Sequence, residues 1–135
     1  MTHVSKRKLK KKDFDTLYKR MVKVLSLTNT ENGSLFFNEF FSSAEKIMFT
    51  KRLCAILMFE EQYSVYRVSE TLYISPSTAL RIRLQYEAGA YVHILSVIKK
   101  NAPRVDIWNV LERILQAGMP PRGKGRWRYV LTDKR

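Results

Sequence analysis

The chain has 135 residues and a mass of 15.9 kDa, which suits one compact domain and leaves no room for a two-domain enzyme. Hydrophobic residues make up 45% of the chain, enough to bury a core, so the composition excludes a wholly disordered protein. Lys and Arg number 25 against 12 Asp and Glu, and the net charge of +13 indicates a polyanionic partner, with nucleic acid favoured over an anionic membrane.

The positive charge is concentrated at the two ends of the chain. Residues 1–12 carry six basic side chains and no acidic one, and residues 119–135 carry six basic side chains and one acidic one, which leaves 13 basic and 11 acidic residues between them. We predict an N-terminal basic arm and a basic-aromatic tail that both contact phosphates, with a merely solubilising arm and a tail packed on the body as the alternatives. The predicted arm contacts are Lys6, Arg7, Lys8, Lys10, Lys11, Lys12, Arg122, Lys124, Arg126 and Arg128.

Secreted, membrane-spanning and metal-binding proteins are excluded by what the sequence lacks. No apolar run follows the N-terminal lysines, and the longest apolar stretch, 53–59, is too short to cross a bilayer. We therefore expect a soluble, cytoplasmic protein with no membrane partner. Cys54 lies within that apolar stretch, and we predict that it packs in the core. His3 and His93 have no cysteine or acidic cluster at the spacing of metal ligands. Because paired carboxylates and a Cys-His couple are also missing, we expect no enzyme activity, cofactor or metal.

The apolar periodicity predicts an all-α fold. Apolar residues recur at steps of three and four over a predicted helix 13–27, which a polar breaker at 28–33 ends and a short apolar segment at 35–41 follows. The last predicted helix begins at 105 or 106 and ends at 118. Its Trp108 reads as a packing anchor rather than a ligand site.

A long central helix is predicted at 43–60. Ser42 and Glu45 have the spacing of a capping box, and neither Gly nor Pro interrupts the segment. Its apolar residues cover more than one stripe, which is more surface than a helix at the edge of a small monomer hides. A partner subunit explains this excess, and a central helix wrapped by its own neighbours is the alternative.

Residues 64–86 have the pattern of a helix-turn-helix. A serine can cap the first short helix, and Ser75 followed by Pro76 is typical of the start of a second. Because only Tyr73 and Ile74 lie between the two helices, they must cross steeply. The inner faces of such a motif require apolar or small residues, and the sequence supplies Val68, Ser69, Leu72, Ile74, Ala79 and Ile82.

One position of the turn departs from this pattern. The residue that usually adopts a left-handed conformation, commonly glycine, is Tyr73, where a side chain costs roughly 1 kcal/mol. Either the geometry of the turn differs, or the tyrosine ring recovers this cost by packing.

The outward face of the second helix is the candidate for reading DNA. Serine hydroxyls near the helix N-terminus suit phosphates or base edges, Arg81 suits a bidentate contact to guanine, and Leu80 suits a thymine methyl group. An ordinary corner of two helices with a solvated arginine is the alternative. The predicted DNA-binding residues are Ser75, Pro76, Ser77, Thr78, Leu80, Arg81 and Arg83.

Residues 35–91 resemble the Trp repressor-like family of bacterial helix-turn-helix DNA-binding proteins. The resemblance is carried by Ser43-Ala44-Glu45, Lys51-Arg52-Leu53, Tyr63-Ser64, Ser75-Pro76-Ser77-Thr78, Arg81 and Gly89-Ala90-Tyr91. It implies an all-α, intertwined homodimer whose two recognition helices enter successive major grooves about 34–36 Å apart and read a roughly palindromic site.

The resemblance does not extend to an amino-acid effector. By comparison with the repressor proper, Arg52 or Lys51 together with Arg81 take places similar to those of the two arginines that bracket the ligand. The glycine that follows the second arginine there is Ile82 here, which crowds an indole out. We therefore expect no small-molecule effector.

The predicted organisation is a basic arm at 1–12, an all-helical DNA-binding domain at 13–118 and the tail at 119–135. We expect a sequence-specific protein for double-stranded DNA, a transcriptional regulator that acts as a homodimer. The alternative is an RNA- or ribosome-associated basic protein in which the motif is a fold element and the arms do the binding. Competition between duplex DNA and structured RNA separates the two.

Overall fold

The structure, a computed structural model, describes residues 6–102 and 106–117, and this part of the chain is all-helical as predicted. The helices are α1 (Lys11–Ser26), α2 (Thr30–Phe40), α3 (Ser43–Glu60), α4 (Val65–Leu72), α5 (Pro76–Glu87), α6 (Val92–Lys100) and α7 (Ile107–Ala117). The chain divides into two compact units with the boundary between Met48 and Phe49, inside α3. The predictions for residues 118–135, including the tail contacts, lie outside the described residues.

In the first unit, α1 is a basic amphipathic helix. It begins at Lys11, two residues before the predicted start, so the last two lysines of the predicted arm belong to its first turn. None of its residues is buried, and Phe14 and Leu17 stay more than half exposed. Lys19 and Lys23 lie on the opposite face. This one helix therefore combines basic residues with an exposed apolar stripe.

The second helix, α2, begins inside the segment predicted as a breaker. The Asn29 side chain accepts hydrogen bonds from the backbone N–H groups of Glu31 and Asn32, at 3.0 and 2.9 Å. In return the Asn32 side chain accepts from the Asn29 N–H at 2.9 Å. This reciprocal pair satisfies the first amides of a helix, so α2 begins at Thr30, within the polar run.

The central helix α3 has the predicted bounds and the predicted cap. The Ser42 N–H donates to Glu45 Oε1 at 3.0 Å, and the Glu45 N–H donates to Ser42 Oγ at 3.2 Å. Hydrogen bonds from Ser42 to the Glu45 carboxyl hold its pKa below the ordinary value, with the bond from the Ser42 backbone as the larger cause and one from the Ser42 side chain as the smaller. Residues 55–59 are all buried, so neighbours within the chain explain the apolar excess in the C-terminal half of α3. In the N-terminal half, Ile47 is 56% exposed.

The hydrophobic core of the second unit is formed by buried residues from several helices. Its buried residues are Ala55, Ile56, Leu57, Met58, Phe59, Val68, Leu72, Ala79, Ile82, Leu111 and Leu115. Cys54 packs against this core, and desolvation raises the pKa of its thiol, as expected for a core cysteine. Trp108 also packs against it, with its ring centroid 6.4 Å from that of Tyr63, which confirms the predicted anchor.

Helix α6 was not predicted, and it is held to the rest of the unit by Glu60. The carboxylate accepts from Lys99 Nζ on one oxygen and from the Tyr86 hydroxyl on the other, both at 2.8 Å. One residue from each of α3, α5 and α6 therefore meets at this point. Nowhere in residues 6–102 and 106–117 does a helix combine the length and apolarity that crossing a bilayer requires.

Candidate nucleic-acid interface

Helices α4 and α5 pack on each other and are joined by a three-residue turn. Ser64 caps α4, its Oγ accepting from the Arg67 N–H at 3.1 Å, and Ser75 caps α5, its Oγ accepting from the Thr78 N–H at 3.2 Å. Tyr73 follows α4 with φ 53° and ψ 50°, the left-handed conformation. The geometry of the turn is therefore the one that the pattern requires, in spite of the tyrosine.

The other explanation for Tyr73 is also wrong, because its ring is not packed. The residue is 86% exposed, so no burial within the described chain recovers the cost of the left-handed backbone. Ser69 is the small residue that the sequence analysis placed where the two helices pack, and its hydroxyl has a second role. Its Oγ donates to the Ile74 carbonyl oxygen at 2.7 Å and closes the turn.

The outer face of α5 is exposed where the sequence predicted it to be. Pro76, Ser77 and Arg81 are exposed, Leu80 is 48% exposed, and Ala79 on the inner face is fully buried. Arg81 makes no hydrogen bond or ion pair to any residue in 6–102 or 106–117. Its guanidinium, with five donors in a planar fork, is therefore available to a ligand.

A small hydroxyl cluster lies at the N-terminal end of this face. Besides capping the helix, Ser75 Oγ donates to Thr78 Oγ1 at 2.8 Å and lies 3.1 Å from Ser77 Oγ. Thr78 is half-buried, whereas Ser75 and Ser77 are exposed. Ser75 is thus engaged mainly in capping, and Ser77 is the better placed of the two for a contact outside the chain.

Arg83 is arranged differently from Arg81. Its side chain is only 14% exposed, its Nε donates to Glu87 Oε1 at 3.0 Å, and its guanidinium carbon lies 5.9 Å from the centre of the Phe59 ring. These contacts favour a role in fixing α5 on α3 over the direct DNA contact that the sequence predicted.

A groove of about 490 Å³ borders the turn. Tyr66 and Tyr73 line one part of it, and Ile114 and Ala117 of α7 line another. Arg67 lies at its base, only 6% exposed, with Nη2 donating to the Leu115 carbonyl oxygen at 3.2 Å. No pattern in the sequence pointed to this buried arginine.

The remaining predicted contacts lie on the N-terminal side of the chain. Lys6, Lys8 and Lys10 are exposed and precede α1, while Lys11 and Lys12 are exposed within it.

The described residues contain no group of three His, Cys, Asp or Glu side chains that could hold a metal ion. Lys51 was compared above with an arginine that brackets the ligand in the repressor proper. Its ammonium donates a hydrogen bond to the Tyr73 carbonyl oxygen at 3.1 Å.

The chain was compared with models of protein families, with curated proteins and with solved structures, and none of them matches it. The resemblance to the Trp repressor-like family therefore rests on the quoted residues alone.

Proposed function

We propose that this protein binds double-stranded DNA sequence-specifically as a homodimer and regulates transcription, with α4 and α5 acting as a helix-turn-helix. The observation that carries the proposal is the contrast between the two faces of α5. Ala79 and Ile82 fix one face in the core, while Arg81 on the other face has no partner in residues 6–102 and 106–117. A rigid helix that displays an unpaired arginine suits insertion into a major groove.

The outer face of α5 supplies the discrimination between base pairs. Arg81 makes a bidentate contact to guanine, and Leu80 contacts a thymine methyl group. Ser77, one turn earlier and close to the positive end of the helix dipole, donates to a phosphate. Arg83 acts as a positioning residue because Glu87 and Phe59 already occupy its guanidinium.

The first unit supplies the dimer interface. Its exposed large apolar side chains include Phe14, Leu17, Tyr18, Leu35, Phe40 and Ile47. Apolar surface of this extent on a small protein marks a site of association. A second copy of the chain covers it in the proposed dimer, which then presents two α5 helices to half-sites about 34–36 Å apart.

The arms supply affinity that does not depend on base sequence. Exposed lysines at 6–12 contact phosphates and release counterions, which makes binding sensitive to salt. The tail at 119–135 adds a second basic segment to the proposal. Its four cations at 122–128 contact the flanking phosphates.

Selection from a pool of random duplexes tests the proposal. At moderate salt the full chain recovers a preferred site with two related half-sites, and structured RNA competes for the protein only poorly. Recovery of no preferred duplex would overturn sequence-specific binding. Stronger competition by RNA than by the selected duplex would favour an RNA-associated protein that binds through its arms.

A further inference from the structure

Tyr73 is held in a conformation that its own side chain disfavours. With φ 53° and ψ 50°, its Cβ crowds the following carbonyl group, and glycine is the residue that relieves this crowding. At 86% exposed, the ring obtains no compensating burial. Strained residues of this kind persist where the surroundings impose the conformation, and they cluster at binding sites.

The surroundings impose this conformation through four hydrogen bonds. The Tyr73 N–H donates to the Ser69 carbonyl oxygen, and the Ile74 N–H donates to the same oxygen at 3.2 Å. Ser69 Oγ donates to the Ile74 carbonyl oxygen at 2.7 Å, and Lys51 Nζ donates to the Tyr73 carbonyl oxygen at 3.1 Å. The backbone is therefore fixed, and the phenol is presented outward from a rigid position.

We infer that Tyr73 is a phosphate-contacting residue, its phenolic hydroxyl donating a hydrogen bond to a backbone phosphate beside the bases that α5 reads. The inference rests on the proposed function. Tyr73 lies two residues before the cap of α5, next to the helix end that the proposed function places in the major groove, and tyrosine is a usual donor to phosphates. The ammonium of Lys51, a residue of α3 that donates to the Tyr73 carbonyl oxygen, adds a positive charge that favours a phosphate.

Two substitutions separate the contact from the strain. Tyr73→Phe removes the hydroxyl alone, so Tm is unchanged and affinity falls about tenfold, as for loss of a hydrogen bond to a charged group. Tyr73→Gly loses the same contact and also relieves the strain, so its Tm rises by about 4 °C or more. Binding is measured by fluorescence anisotropy with the duplex selected by the natural chain and with a scrambled duplex.

The pattern of losses identifies a phosphate contact. Both variants lose affinity equally for the selected and the scrambled duplex, because a phosphate carries no base sequence. The slope of affinity against salt is unchanged, since a neutral phenol releases no counterion.

Gln62→Gly is the matched control. Gln62 is exposed at the turn before α4 with φ 68°, so glycine relieves similar strain there and raises Tm without changing affinity. If both Tyr73 variants bind as tightly as the natural chain while Arg81→Ala is impaired, the inference fails and the proposed function stands. If the natural chain selects no duplex at all, the proposed function fails as well. A loss seen only with structured RNA as the probe would overturn a contact with DNA.

Discussion

Arg67 is a charged side chain placed almost entirely inside the protein. It is 6% exposed, and its Nη2 reaches the Leu115 carbonyl oxygen near the end of α7, where helix carbonyls lack intrahelical donors. A buried arginine is tolerated only when its donors are satisfied. The side chain therefore links α4, which precedes the turn, to the end of α7.

Replacing this arginine removes both the link and the volume that it fills. We expect Arg67→Ala to lower the free energy of unfolding by about 2 kcal/mol or more, because the Leu115 carbonyl oxygen loses its donor and a cavity remains. Urea denaturation followed by circular dichroism measures the change. Arg113→Ala, at an exposed position of α7, is the control and leaves the midpoint nearly unchanged. Equal stability of the two variants would contradict the assigned role.

For single residues, the sequence predicts where a side chain lies in the motif better than it predicts the hydrogen-bond partners of that side chain. Ser69 was predicted to be small at the helix crossing, and Tyr73 was identified at the left-handed position, because both follow from spacing along the chain. The bonds that Ser69 and Arg67 make were not predicted, since their partners are set by tertiary structure. The contacts of Arg83 were not predicted for the same reason, since Phe59 lies on another helix, and its predicted role as a direct DNA contact stays a prediction.

Among the helices, those with strong end signals were predicted best. The capping box of Ser42 and Glu45 predicted the start of α3, and Ser75 with Pro76 predicted the start of α5. Helix α2 was missed because an Asn-Asn box lies within a polar run that resembles a loop. Helix α6 was missed although Val92, Leu95 and Ile98 repeat at steps of three, because it is short and lacks a side-chain cap.

Glu60 joins three helices through an ionic contact that depends on pH. The hydrogen bond from Lys99 is the largest cause that lowers the pKa of Glu60 below the ordinary value of 4.5, and the bond from Tyr86 adds to it. Because the folded-state pKa lies below the unfolded one, the contact stabilises the fold above about pH 4.5, and this stability is lost as the pH falls through the folded-state value.

We therefore expect Glu60→Gln to be less stable than the natural chain at pH 7 and to approach it as the pH falls toward 3. The urea midpoint, measured from pH 3 to pH 7, reports the difference. Glu61→Gln changes an adjacent exposed carboxylate and serves as the control. A constant difference between Glu60→Gln and the natural chain at every pH would contradict the ionic role.

For the whole molecule, the charge and the apolar surface point to two different partners. Of the described residues, those at 6–48 include ten basic and five acidic side chains, and α1 places its basic and apolar residues on opposite faces. We propose that its apolar face contacts a second copy of the chain while its basic face remains toward solvent or phosphate. The sequence predicted a dimer from the apolar excess on α3, but residues 55–59 of that helix are buried within the chain. The proposal therefore places the interface on α1 and α2, whose large apolar side chains are exposed.

Leu17→Lys tests this placement, because it puts a charge in the centre of the apolar face of α1, where Leu17 is 57% exposed. We expect the natural chain to sediment at about twice 15.9 kDa and the variant at the mass of one chain. Thr16→Lys introduces the same residue on the basic face and leaves the dimer intact. A dimer that survives Leu17→Lys would place the interface elsewhere.

The central claim is that Arg81 on α5 reads a base pair, and equilibrium binding of Arg81→Ala to the selected duplex tests it most directly. The same titration is run with duplexes that carry single base-pair changes and with Arg113→Ala, which removes an equal charge from an exposed position of α7. We predict a loss of about 1–3 kcal/mol for Arg81→Ala on the selected duplex and relaxed preference at one base pair, with Arg113→Ala unchanged. Unaltered affinity, or an equal loss on every duplex, would contradict the claim.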